Sequence, residues 1–203
     1  MASAPSPSRP PLVLATLNRS KGRELASLLA GIPYDLRLLG DVPGARLPEE
    51  TEETYRGNAL LKAHAAARLM GHTALADDSG LEVDALGGGP GVRSARFGGP
   101  GLDDGARTTL LLTMLGERPG ASRSARFRCV IALVDPTGRE RVVEGVVEGV
   151  IADAPRGGGG FGYDPVFFYP PLGRTFAELT DEEKARVSHR AIAARAVRAL
   201  LLE

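Results

Sequence analysis

The sequence is poor in several things, and each shortage closes off a class of protein. It holds one cysteine, Cys129, so it can form neither an internal disulfide nor a cysteine-based zinc site. Cys129 sits in the apolar run Cys129-Val130-Ile131-Ala132-Leu133-Val134 and reads as a small buried hydrophobe rather than a nucleophile. No stretch approaches the roughly 18 apolar residues of a membrane helix, so no membrane partner is expected. Charge of either sign is not in excess, with 25 Lys and Arg against 25 Asp and Glu. A general nucleic-acid coat needs a broad basic surface, so no stable nucleic-acid partner is expected either. Met1 to Pro11 is rich in Ala, Ser and Pro and lacks the apolar core of a signal peptide. It reads as a disordered leader, residues 1–11, and the cytoplasm is the expected compartment.

What is present fits one soluble domain, residues 12–203. The 203 residues are 43% hydrophobic and 25% charged, ordinary values for a globular protein. Glycine (26) and proline (15) are plentiful, and the glycines cluster, which marks loops with a task. Leu12 to Ala15 is a short apolar strand suited to burial on both faces. A polar turn, Thr16 to Lys21, follows it, then a helix through Glu24 to Ala30 that stops at Gly31. Tyr34 to Leu39 suggests a second strand, Asp41 to Thr54 a polar loop, and Asn58 to Met70 an Ala-rich helix closed by Gly71. Ala74 to Ala76 is a further strand that runs into Asp77-Asp78-Ser79-Gly80 at its end. Leu86 to Gly101 is a Gly-rich loop, after which Asp103 caps a helix ending at Gly116. Phe127 to Val134 and Arg141 to Ile151 pair around the turn Asp135-Pro136-Thr137-Gly138. Helices alternating with strands, then a hairpin region, predict an α/β fold. Its central mixed sheet is flanked by helices, with a β-rich second lobe and a cleft between.

The C-terminal segment carries its own argument. Thr180 with Glu183 forms a capping box. In one unbroken helix Lys184 and His189 would lie about 140° apart, and Lys184 and Arg190 about 120° apart the other way. A break at Ser188 repairs this, and predicts two helices with His189 and Arg190 in the first turn of the second. Free amides in such a turn favour anions.

Several constellations could carry chemistry. Thr16 to Lys21 lies where α/β proteins bind phosphates, at the carboxyl end of a strand and the start of a helix. The plain alternative is a capped helix start with a solvated lysine. Asp77 and Asp78 repel each other unless a cation neutralises them, and Mg²⁺ suits one or two carboxylates plus phosphates and water. In an extended chain they face opposite sides, so one faces the site and the other supports it. An Asx turn at the strand end explains them equally well. The acidic run Glu49, Glu50, Glu52, Glu53 either completes a cation site or is a solvated loop. In Gly157 to Pro165, Phe161 or Tyr163 could stack on a base and Asp164 could accept from ring or sugar hydrogens. The alternative there is a glycine hinge with core aromatics.

Taken together these segments resemble the inosine triphosphate pyrophosphatase family. The resemblance runs from about Leu12 to Leu202. It is carried by Leu14-Ala15-Thr16-x-Asn18-x-x-Lys21-x-x-Glu24, Asn58-Ala59-x-x-Lys62-Ala63 and Ala76-Asp77-Asp78-Ser79-Gly80-Leu81. Pro90-Gly91-x-x-Ser94-Ala95-Arg96, Gly160-Phe161-Gly162-Tyr163-Asp164-Pro165, Glu178-Leu179-Thr180-x-Glu182-Glu183-Lys184 and Ser188-His189-Arg190 extend it. The resemblance implies a homodimer that uses Mg²⁺ to split non-standard purine nucleoside triphosphates (ITP, dITP, XTP) between the α and β phosphates. By resemblance, Thr16, Leu17, Asn18, Arg19, Ser20 and Lys21 hold the phosphates. Asp78 is general base and metal ligand, and Glu50 is the second metal acid. Ser79, Phe161, Gly162, Tyr163, Asp164, Lys184, His189 and Arg190 contact the nucleotide. Two departures stand out. Leu17 replaces a small or polar residue, so its side chain is expected to point away. Gly57 replaces a frequent Glu, so the metal site is expected to rely on Glu50 or Glu53. Competing readings are a pyrophosphatase for modified pyrimidines, a non-catalytic nucleotide sensor indifferent to Asp78→Asn, and an RNA-binding module with steep salt dependence.

Overall fold

The longest pairing in the molecule is a hairpin. Strand β4 (Ser124–Val134) and strand β5 (Glu140–Ile151) run antiparallel around the turn at Asp135. The Asp135 carboxylate accepts the Thr137 amide at 2.8 Å, an Asx turn that closes the hairpin. The computed structural model describes residues 9–203. The other strands are β1 (Pro11–Leu14), β2 (Asp35–Leu38), β3 (Thr73–Val83), β6 (Phe167–Tyr169) and β7 (Arg174–Thr175). They form one seven-stranded sheet in the order β2-β1-β3-β4-β5-β6-β7. β1 is parallel to β2 and β3, and every pairing from β3 onward is antiparallel. The mixed sheet expected from the sequence is therefore present. The expected β-rich lobe is the far half of that same sheet.

The helices are α1 (Arg19–Leu28), α2 (Tyr55–Met70), α3 (Asp104–Gly116), α4 (Asp181–Val187) and α5 (His189–Leu202). Strand alternation decides which helix covers which residue. Leu12, Leu14 and Leu75 face α1 and α5, with Leu25, Leu29, Val197 and Leu201 closing that layer. Val13, Ala15, Ala74 and Ala76 face α2, whose Ala59, Ala63, Ala66 and Ala67 let the helix approach closely. Each buried Leu contributes roughly 1.5–3 kcal/mol. Farther along the first face, Phe127, Phe167 and Phe176 pack as a ring cluster, the first two with centroids 4.5 Å apart.

Three expectations are corrected. β3 does not end before Asp77; it continues through Asp77-Asp78-Ser79-Gly80 to Val83, because β4 pairs with it from Ala74 to Val83. α2 begins three residues early at Tyr55, capped by Thr54, whose hydroxyl accepts the Gly57 amide. Residues 1–8 of the expected leader lie outside the described residues. Its end at residue 11 is too late, since Pro11 opens β1 and the Pro10 carbonyl accepts from Asp35. The predicted break at Ser188 is present: Ser188 ends α4 and caps α5.

Candidate active site

The site exists because two neighbouring strands differ in length. β1 stops at Leu14, and the Ala15 amide makes the last bond to β3, at the Leu75 carbonyl (2.7 Å). From there the edge of β3 is open as far as Ser79, beyond which Ser94, Pro90 and Gly89 pair along Leu81 to Val83, and the chain leaving β1 turns across the open stretch. The Asn18 carboxamide caps α1, accepting the amides of Ser20 (3.0 Å) and Lys21 (3.1 Å), while Thr16 accepts from Asn18. Thr16 is buried, whereas Leu17, Asn18 and Arg19 are exposed. Leu17 does point away from the core.

On the open edge, Asp77 and Asp78 face opposite layers. Asp77 is fully buried beneath α1 and α5. Lys21 lies 3.4 Å from it, Arg190 donates at 3.2 Å and Ser79 at 3.3 Å. Burial would raise its pKa, but Lys21, Arg190 and Lys62 outweigh it and hold the carboxyl below the usual carboxylate range. Asp78 faces α2. It accepts the Ser79 amide (2.9 Å) and the Asn58 carboxamide (3.1 Å). Burial pushes its pKa upward and the nearby Glu50 adds to that, against the pull of Lys62. The Asx turn that could have explained this pair is excluded by the continuous strand.

Lys62 ties the layers together. Its ammonium donates to the Asp77 carbonyl on the open edge (2.7 Å) and to Glu50 (2.5 Å), and lies 4.0 Å from Asp78. Arg96 grips the other Glu50 oxygen at 3.1 Å. Of the acidic run, Glu50 alone has its carboxylate hydrogen-bonded beside Asp78. Glu53 lines a separate hollow with Gly87 to Arg93, and Glu52 folds over Gly57, where a Cβ would stand 2.7 Å from its own Cβ. Asp78 and Glu50 thus share one ammonium. Among the described residues no three His, Cys, Asp or Glu side chains form a metal cage. The two carboxylates fit a hard divalent cation that takes its remaining oxygens from phosphates and water.

Beyond α1 lies a cavity of about 340 Å³ lined by Ser20, Glu24, Phe161, Lys184 and Ser188. Lys184 reaches Asp164 (2.6 Å) and Glu24 (2.8 Å), and Arg190 reaches Glu24 (2.5 Å). A continuous chain of charges, Asp164–Lys184–Glu24–Arg190–Asp77–Lys21, therefore joins this cavity to the open edge. Lys184 and Arg190 lie 4.8 and 5.6 Å from the centre of the Phe161 ring. Gly160 has φ +69°, and a side chain there would run into Asp164, so glycine is required on both counts.

Four residues expected at the nucleotide are placed otherwise, the first being Arg190, which is 1% exposed and spends its guanidinium on Asp77, Glu24 and Ser79. Tyr163 turns into the third core cluster and donates to the Ser94 carbonyl at 3.0 Å, because Gly162 reverses the chain just before it. Asp164 is 3% exposed and already binds Lys184 and the Phe161 amide, so it braces the loop and offers a ligand little. His189 stacks on Phe127 with ring centres 4.7 Å apart, and its Nδ1 is buried without a partner. Burial and the neighbouring Arg190 and Lys184 push its pKa well below 6.5, so it supplies no positive charge. Three residues without an assigned role emerge instead: Glu24, Asn58 and Lys62. A signal existed for the last two, since they interrupt the Ala stripe of α2 one turn apart.

The Ham1 family model matches residues 12–200. The chain is 52% identical to the dITP/XTP pyrophosphatase of Desulforamulus reducens over 179 residues, 88% of this chain and 89% of that one. It is 52% identical to the dITP/XTP pyrophosphatase of Thermus thermophilus over 186 residues, 92% and 89% of the two chains. The solved structure of a HAM1 protein from Coxiella burnetii superposes with a TM-score of 0.86 at 41% identity, covering 94% of this chain and 97% of that one.

Proposed function

The chain belongs to the Ham1 family, and from that premise we propose that it hydrolyses non-standard purine nucleoside triphosphates such as dITP, XTP and ITP. The products are the nucleoside monophosphate and pyrophosphate. The observation that carries this reading is the open stretch of β3, which has the Lys21 ammonium on one side and the Asp78–Glu50 pair on the other, and which a chain of ion pairs ties to the Phe161 cavity.

The turn residues and Lys21 bind the phosphate chain, the Lys21 ammonium supplying the charge, while the Ser20 and Lys21 amides stay with their cap, Asn18. Asp78 orients a water toward the α-phosphorus and takes its proton. The new P–O bond forms as the bond to the β-phosphate breaks, and pyrophosphate carries away the electron pair. Asp78 and Glu50 would hold Mg²⁺, which when bound would supply charge neutralisation at the phosphates. Asn58 and the Ser79 amide fix the Asp78 carboxylate, while Lys62 keeps Glu50 beside it. Phe161 offers a face to the base. Lys184 has three N–H donors and two are used by Asp164 and Glu24, which leaves one for a 6-oxo group. The same donor facing the 6-amino group of adenine would be left unpaired. One domain from Pro11 onward, assembly as a homodimer and residence in the cytoplasm belong to the same reading, supported by the family resemblance.

The test is pyrophosphate release with Mg²⁺ from ITP, ATP and GTP, by wild type and Asp78→Asn. Release from ITP, near-silence with ATP, and a loss of about 10³-fold in the variant are expected. Release of single phosphates would refute the cleavage site, and nucleotide binding without turnover would refute the enzyme.

A further inference from the structure

The loop that carries Phe161 is held from two sides. Its own Asp164 accepts the Phe161 amide at 2.9 Å and is itself tied to Lys184, whose ammonium also binds Glu24. The next amide, Gly162, is accepted at 2.9 Å by Asp104. Asp104 belongs to the first turn of α3, which Asp103 caps through the Ala106 amide, and it lies 3.6 Å from Arg107 one turn on. Gly162 has φ +63° and turns the chain from the ring facing the cavity to Tyr163 facing the core. Two consecutive amides are therefore gripped by two carboxylates from different elements, and the ring between them has its backbone fixed at both ends.

We infer that Asp104 is a positioning residue that sets the pose of Phe161 against the base. The inference rests on the nucleotide reading of the site. Asp104 touches neither Lys184 nor Arg190, so its influence on the base runs through the Gly162 amide. Its side chain is 58% exposed, so water can replace it in part and the effect is moderate.

The experiment measures KM and kcat for dITP, with binding of the monophosphate product dIMP by calorimetry. Asp104→Ala is expected to raise KM and the dIMP dissociation constant about fivefold and leave kcat within about twofold. Asp104→Asn keeps an acceptor oxygen and loses the charge, so it is expected to behave as wild type. In a Phe161→Ala background, Asp104→Ala is expected to add nothing. An unchanged KM in Asp104→Ala overturns the inference. So does equal damage in Asp104→Asn, which would assign the effect to charge at the start of α3. Full additivity with Phe161→Ala overturns it as well. A wild type that neither cleaves dITP nor binds dIMP would overturn the nucleotide reading, and the inference with it.

Discussion

Two halves of one site solve the same electrostatic problem in different ways. At the open edge of β3, carboxylates and ammonium groups are set by sheet register: Asp77 and Asp78 are consecutive, so the pleat sends one to each layer. In the Phe161 cavity the charges come from a loop and from helix ends, and Asp164, Lys184 and Glu24 meet across α1, α4 and the glycine turn. The first arrangement cannot shift without breaking the ladder to β4. The second is held by side-chain contacts and can be loosened one bond at a time. Chemistry that demands a fixed base and cation fits the rigid half, and recognition of a base fits the adjustable half.

The sharpest way to break this contrast is to exchange the roles of the two aspartates. Asp78→Asn is expected to cut turnover about 10³-fold and to cost about 1–3 kcal/mol of stability, since its single carboxamide oxygen can keep only one of the Ser79 and Asn58 donors. Asp77→Ala removes the buried partner of Arg190 and Lys21, and is expected to cost about 3–5 kcal/mol of stability in urea denaturation. If both variants lost activity and kept stability equally, the division of labour between the layers would be wrong. In the adjustable half, Phe161→Ala is expected to raise KM for ITP by roughly 10-fold through lost stacking, with kcat nearly unchanged. The smallest effect concerns His189, buried and neutral in the folded chain. Its folded pKa lies below the 6.5 of the unfolded chain, so its contribution is complete above that pH and is lost as pH falls. Stability is expected to decline below pH 6.5 by up to about 1.4 kcal/mol per unit from this group. His189→Phe should remove that part of the slope in pH-dependent denaturation.

Much of the site was legible from local pattern. The strand, polar turn and helix from Leu12 to Leu28 follow from an apolar run, a capping Asn18 and the spacing of leucines. The break at Ser188 followed from helix geometry alone, because Lys184, His189 and Arg190 could not share one face. Other features were not legible. β3 continues past two aspartates that disfavour strands, since ten residues of β4 pair along it. Tyr163 and His189 carry polar tips that suggest a ligand, and both are claimed by the Phe127 cluster. Gly57 leaves room that Glu52 fills, which depends on a loop returning across the start of α2.

By itself the sequence determined roughly where the strands and helices lie, and where the caps Asp103, Thr180 and Ser188 start α3, α4 and α5, because caps, glycines and periodicity act over a few residues. It also supplied the full set of charged and aromatic groups. The tertiary structure decided which of those groups meet. Glu24 reaches Lys184 and Arg190 across 160 and 166 residues, and Arg190 reaches Asp77 across 113. Contacts at such separations are set by strand order and by where β1 ends. Burial then assigns each aspartate, histidine and tyrosine its charge and its task.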